Sequence, residues 1–218
     1  MNEHNGYITV TGADESTDIA ALSELDAEIG LLYSATPEGR NRYPSWDWLV
    51  SAAKQIPRVS IHVCGSAARR QLACVQMEAL VSRASRIQVN GRVSDTELES
   101  LCALYPNHTI MTQHEPGNTE LAQLQLPNHA LLQDASGGRG IAPSIWLESP
   151  TRNAFGFAGG LGPENLAVEL PRILAVAGPG WWIDLETSLR IDDVFSLDRA
   201  RSAVAAFHTA VVPDAHAA

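Results

Sequence analysis

Cysteine is scarce: three residues in 218, at positions 64, 74 and 102, odd in number and without Cys-x-x-Cys spacing. A disulfide framework is not expected from that pattern, which reads as reduced thiols in a cytoplasmic protein. Basic residues are also few, 15 against 25 acidic ones, for a formal net charge of −10. Such a balance argues against nucleic acid or an anionic membrane as partner. It does not exclude a small anion, because a local nest of backbone N–H groups overrides the field of the whole chain. Long apolar runs are missing too, so no transmembrane helix is expected. Residues 1–12 lack a basic segment followed by an apolar one, so no signal peptide is expected either. Linkers and low-complexity segments are absent, which favours one domain over residues 1–218. With 45% hydrophobic and 18% charged residues, the chain resembles an ordinary globular enzyme able to bury a sizeable core.

What is present is alternation. Short β-branched, apolar runs at 7–11, 28–33, 59–63, 86–89, 109–112, 130–133, 155–158 and 181–185 read as eight strands. Helical patterns lie between them at 17–25, 45–55, 67–82, 165–177 and 196–211, with a capping box at Ser94-Asp95-Thr96-Glu97. Segments 117–124 and 142–148 are short and poorly periodic. Parallel neighbours need crossovers, and helices supply them. Eight repeats predict a compact closed (β/α)8 TIM barrel. An open doubly wound sheet is the competing reading, and no Gly-x-Gly-x-x-Gly follows the first strand to support it.

In a barrel, chemistry sits at the carboxyl ends of the strands. The seventh strand runs into Gly159-Gly160-Leu161-Gly162-Pro163-Glu164-Asn165. Bare glycine backbone, with Pro163 in the first helical turn, suits an anion at a helix start; a merely tight turn is the alternative. The sixth strand ends at Asp134, followed by Gly137-Gly138-Arg139-Gly140, an acid beside a glycine loop. Gln88 and Asn90 point the same way at the tip of the fourth strand, as do Asp184 and Glu186 at the eighth. Arg40 and Arg42 follow the second strand, placed to clamp a carboxylate or phosphate.

Taken in order, these tips resemble phosphoribosylanthranilate isomerase, a tryptophan-pathway TIM barrel that performs an Amadori rearrangement. Thr9-Val10-Thr11-Gly12 stands where that family has Lys-Ile-Cys-Gly, and Arg42-Tyr43 matches its Pro-Arg-Tyr. Gln88-Val89-Asn90-Gly91 matches Gln-Leu-His-Gly, and the glycine loop after Asp134 matches Gly-Gly-Thr-Gly. The seventh-strand motif is nearly Gly-Gly-Leu-Thr-Pro-Glu-Asn, and Asp184 with Phe195-Ser196-Leu197-Asp198 fits Asp-Val-Ser-Ser-Gly and Gly-Val-Lys-Asp. The resemblance implies Asp134 as general acid. It also implies binding of a small anionic substrate through Arg42, Gln88, Asn90, Gly137, Gly138, Gly159, Gly160, Thr187 and Ser188.

Three departures alter that expectation. Thr11 occupies the place of the family's general-base cysteine, and a threonine hydroxyl is too weakly acidic to serve as that base. Glu186-Thr187-Ser188 brings a carboxylate and side chains where the family has small residues. Asn90 replaces a histidine. One expectation is therefore an isomerase or related lyase of altered specificity, with Asp134 as acid and Asp184 or Glu186 as relocated base. Cys64, His62 and His114 are weaker candidates. The alternative is a catalytically inactive ligand-binding or regulatory protein on the same scaffold. No cofactor or metal is expected, since no His-x-His or HExxH spacing joins Asp184, Glu186 and His114. Trp46, Trp48, Trp181 and Trp182 are all compatible with a core, and either a monomer or a homodimer fits.

Overall fold

The computed structural model describes residues 6–37, 39–114, 119–134 and 140–211. Eight parallel strands follow one another around a closed barrel: β1 (Tyr7–Thr11), β2 (Glu28–Ser34), β3 (Val59–Cys64), β4 (Arg86–Val89), β5 (Thr109–His114), β6 (His129–Gln133), β7 (Phe155–Ala158) and β8 (Trp182–Leu185). Closure comes from β8 pairing β1, with Thr9 opposite Asp184. Alternation along each strand sorts the side chains. Ile8, Val10, Ile29, Ile61, Val63 and Ile87 pack outward into the shared core under the helices. Thr9, Thr11, Ser60, His62 and Gln88, from the alternate positions, are equally buried, and Met111, Ala130, Leu132, Ala158 and Trp182 form a smaller apolar cluster of their own. Glycines make room inside: a Cβ on Gly156 would lie 2.2 Å from the Trp182 ring.

Among the described residues seven helices surround the barrel: α1 (Ile19–Ser23), α2 (Trp46–Gln55), α3 (Ser66–Ala73), α4 (Glu78–Val81), α5 (Asp95–Leu104), α6 (Leu166–Leu174) and α7 (Leu197–Val211). Side-chain oxygens of Asp18, Ser45 and Ser94 accept from backbone N–H groups two or three residues on, capping α1, α2 and α5. The floor of the barrel is ionic. Arg86 donates to both Glu28 carboxylate oxygens and to Thr9 Oγ1, and its guanidinium lies 4.6 Å and 4.5 Å from the Tyr7 and Trp182 ring centroids.

The structure corrects the sequence reading in four places. The single helix expected over 67–82 is two, because the chain leaves α3 through Val75 at φ +56°. Val75 N–H bonds Leu72 C=O and Gln76 N–H bonds Gln71 C=O, a Schellman turn with a β-branched residue where glycine is favoured. Val75 is exposed and so loses little packing on truncation. Val75→Gly is expected to raise stability by about 1 kcal/mol, read from the urea midpoint. Elsewhere, the crossover from β5 to β6 has only a 3-10 turn at Thr119–Leu124, and the crossover from β6 to β7 has no helix over 142–148. Pro163 and Glu164 precede α6, which begins at Leu166 with Asn165 as its N-cap residue. A two-residue hairpin, β9 (Arg190–Ile191) with β10 (Val194–Phe195), turns through Asp192 and Asp193 at φ +51° and +58°. No helix among the described residues is long and apolar enough to cross a membrane.

Candidate functional site

The carboxyl ends of the strands bring three acids to one small cavity of about 50 Å³: Asp134 after β6, Asp184 on β8 and Glu186 just beyond it. Gln88, Asn90, Gly159, Gly160, Thr187 and Ser188 border the same cavity. Gln113, on β5, is a member that sequence reasoning missed in favour of its neighbour His114. Gln113 Nε2 donates to Asp134 Oδ2 at 2.9 Å, and its Oε1 accepts from Gly91 N–H at 2.8 Å. His114 instead packs edge-on against Phe155. Gly137 and Gly138 lie outside the described residues.

Asp184 is the most perturbed acid. Thr11 Oγ1 donates to its Oδ1 at 2.7 Å, and the neutral His62 ring places Nδ1 4.0 Å from Oδ2. Burial pushes Asp184 up from 3.8 to about 7; Glu186 and Asp134 add to the rise, while Thr11 and Arg86 oppose it. Burial and the charge of Arg86 push His62 down from 6.5 to about 3. His62 Nε2 lies 3.1 Å from Ser60 Oγ. This column exists because position 30 has no side chain: a Cβ on Gly30 would lie 2.2 Å from Thr11 Oγ1 and 2.9 Å from His62 Nε2.

The two pKa shifts pull stability in opposite directions. Asp184 holds its proton more tightly when folded, so its contribution is present at low pH and lost as pH rises from about 4 to 7. His62 is kept neutral when folded, so its contribution is present above 6.5 and lost as pH falls toward about 3. Between about 4 and 6.5 the pair cancels. His62→Gln is expected to uncover the Asp184 slope: relative to the parent, unfolding free energy falls by up to about 1.4 kcal/mol per pH unit as pH rises through that window. Urea titrations at several pH values check it, and parallel parent and variant curves would refute the assignment.

Glu186 is not a free base. Arg42 Nη1 donates to its Oε1 at 2.7 Å and Arg42 Nη2 lies 3.6 Å from Asp193, so the arginine expected to clamp substrate is held by the chain's own acids. Burial raises Glu186, and Arg42 opposes the rise. Arg190, a second missed residue, is engaged likewise by Asp14 at 3.0 Å, by Asp193 at 3.2 Å and by Gly12 C=O.

The glycine turn is tight for reasons inside the fold. Gly159 and Gly160 have φ +104° and +60°, and Cβ atoms there would lie 2.8 Å from Ile141 O and 2.5 Å from Ala142 N. The bare backbone thus lets the segment after β6 cross directly above it. Asn165 bridges the turn, donating to Gly160 C=O and accepting from Gly162 N–H. Ser188 Oγ donates to Leu161 C=O at 2.5 Å, so its hydroxyl proton is spent within the chain.

A wider cavity of about 560 Å³ adjoins on the side of β2 to β4 and shares Asn90, Gln113 and Glu186 with the first. Cys64 lies in its wall, its thiol pushed up to about 11 by burial, with Asn90 Nδ2 donating to Sγ at 3.1 Å. Among the described residues, no group of three or more His, Cys, Asp or Glu could hold a metal ion.

No protein-family model matches the chain, and no curated protein sequence matches it. Solved structures do. Phosphoribosylanthranilate isomerase from Thermotoga maritima superposes with a TM-score of 0.69 at 12% identity, covering 91% of this chain and 97% of that one. The enzyme of the same name from Pyrococcus furiosus gives 0.61 at 12% identity, covering 93% and 98%. A 3-hexulose-6-phosphate synthase gives 0.56 at 14% identity, covering 92% and 99%. The chain is a (β/α)8 TIM barrel that resembles, across nearly its whole length, the barrel of phosphoribosylanthranilate isomerases.

Proposed function

We propose that this chain is a single-domain acid/base isomerase acting on a small, sugar-phosphate-like anion. In this reading Asp184 takes the C2 proton and returns it to C1, while Asp134 protonates the carbonyl oxygen and takes back the proton released by the neighbouring hydroxyl, so both carboxyls end as they began. The observation that carries the reading is the 2.7 Å bond from Thr11 to a buried Asp184. At the position where the resembling family keeps its base, the chain has a hydroxyl that passes the role to a carboxyl raised to about 7. A base titrating near the working pH combines the right protonation state with useful driving force. Asp134 shares the cavity and stands on a separate strand tip, so the two acids reach a ligand from different directions.

Exchange in D₂O tests this directly. A panel of aldose and ketose phosphates is incubated with the protein, and loss of the C2 proton signal of the aldoses, or of a C1 proton signal of the ketoses, is followed by NMR. Deuterium incorporation into at least one member is expected. No exchange with any member, or binding without exchange, would instead favour the non-catalytic ligand-binding alternative. Complementation of a tryptophan-requiring strain is expected to fail, because the thiol chemistry of the resembling enzymes is absent at Thr11.

A further inference from the structure

Glu186 stands where the two cavities of the mouth meet, since it borders both, and Arg42 borders the wider one. The fold fixes its position. The stem of Glu186 lies over Gly12 just after β1, where a Cβ would come 3.3 Å from its Cγ. Arg42 reaches it from the loop after β2, with Nη1 2.7 Å from Oε1, the length of a charge-assisted bond. The two side chains are only 26% and 23% exposed, so salt screens this pair less than one on the open surface. The neighbouring cation, Arg190, is already engaged by Asp14, Asp193 and Gly12 C=O. On its other side Glu186 shares the small cavity with Asp134 and Asp184, and the charge of Asp134 opposes its ionisation.

We propose that Glu186 is a specificity-determining residue whose carboxylate occupies, on Arg42, the place of a ligand carboxylate. Ligands that bring an uncharged, hydroxyl-bearing group to this side of the mouth are accepted, and those that bring a carboxylate there are turned away. The inference rests on the reading of the mouth as the ligand site, and not on which carboxyl moves the proton. An incoming carboxylate has two ways in, and both are costly. Displacing Glu186 strands a largely buried charge beside Asp134 and Asp184, the unfavourable outcome when an ion pair loses one partner. Settling next to the intact pair sets like charges together, with Arg42 already neutralised; selectivity of this kind works by penalising the wrong ligand. A hydroxyl meets neither obstacle, because a carboxylate bonded to one guanidinium still has lone pairs to accept from it. The ligand's own anionic group then lies away from Arg42.

The test is a titration with acetate, and in parallel with its uncharged isostere acetamide, followed by the Arg42 Nε and Gly12 backbone amide NMR signals. In the parent, no saturable shift at these two residues is expected with either probe. Glu186→Ala, which vacates the place and releases Arg42, is expected to bind acetate at least tenfold more tightly than the parent, with no such gain for acetamide. Asp193 lies 3.6 Å from Arg42 Nη2 and is placed to take over, so the titration is repeated with Asp193→Asn added, which is expected to enlarge the gain. Glu186→Gln, the same shape without the charge, is a second variant should the truncation disturb the end of β8. Adding Arg42→Gln to Glu186→Ala is expected to abolish the gain. Equal acetate affinity in parent and variants, no saturable shift in any variant, or a gain that survives Arg42→Gln would overturn the proposal. The isomerase reading fails separately: it falls on absence of deuterium exchange in the parent, whether or not acetate reaches Arg42.

Discussion

Asp184→Asn is expected to lower turnover of the exchanging substrate by about 10²–10⁴-fold, the range for loss of a positioned proton-transfer group. The substitution keeps the shape and leaves an oxygen to accept from Thr11, so the barrel is expected to stay folded. What it removes is the group that changes protonation near neutral pH, since Asp184 titrates at about 7. The pH–rate profile of the parent is therefore expected to rise through about 7, and the residual activity of the variant to lose that limb. Asp134→Asn is expected to fall by a comparable factor while keeping the Asp184 limb, because the two acids serve different atoms of the substrate. Glu186→Gln is the informative contrast. Arg42 holds Glu186 at 2.7 Å, so this change is expected to loosen the Arg42 clamp and to alter the apparent KM more than turnover. Unimpaired exchange in Asp184→Asn would sink the assignment, since no second described acid is bonded to Thr11.

Much of the barrel was legible because its signal is local. Val, Ile and Thr at alternate positions of 7–11, 59–63 and 86–89 mark strands without reference to anything distant, and helices between them force parallel pairing. The misread parts are those that depend on partners far along the chain or on a single backbone angle. Val75 looks like one more helical residue, yet it takes a left-handed conformation. The Arg190–Phe195 hairpin is too short to carry a period, and the side chain of Arg190 is buried against Asp14, 176 residues earlier, as well as against its neighbour Asp193. At the mouth, sequence order placed Asp134, Asp184, Glu186 and the glycine pair at strand tips, and these do border one cavity. The sequence could not show that Arg42 would be spent on Glu186, a contact across 144 positions. Nor could it show that Gly30 would be the gap through which Thr11 and His62 approach each other.

Glu28→Ala is expected to be the most destabilising single change of a charged residue, at about 3–5 kcal/mol, the cost of removing one partner of a buried ion pair. Glu28 and Arg86 are each less than 10% exposed. Glu28 accepts from Arg86 Nε at 3.0 Å, from Arg86 Nη2 and from Thr9 Oγ1 at 3.1 Å. Without it, a guanidinium stays buried between Tyr7 and Trp182, with Nη1 already lacking a partner. The aromatic faces attract the cation but do not replace a carboxylate. For a chain of this length such a loss corresponds to a fall of about 6–20 °C in Tm, readable by calorimetry or circular dichroism. Arg58→Ala, which breaks the exposed pair with Asp26, is the control and is expected to cost less than about 1 kcal/mol. Replacing both floor residues together, Glu28→Leu with Arg86→Met, is expected to recover most of the loss, because apolar side chains of similar volume remove the stranded charge. Equal destabilisation of the single and double variants would show that shape rather than charge closes the floor.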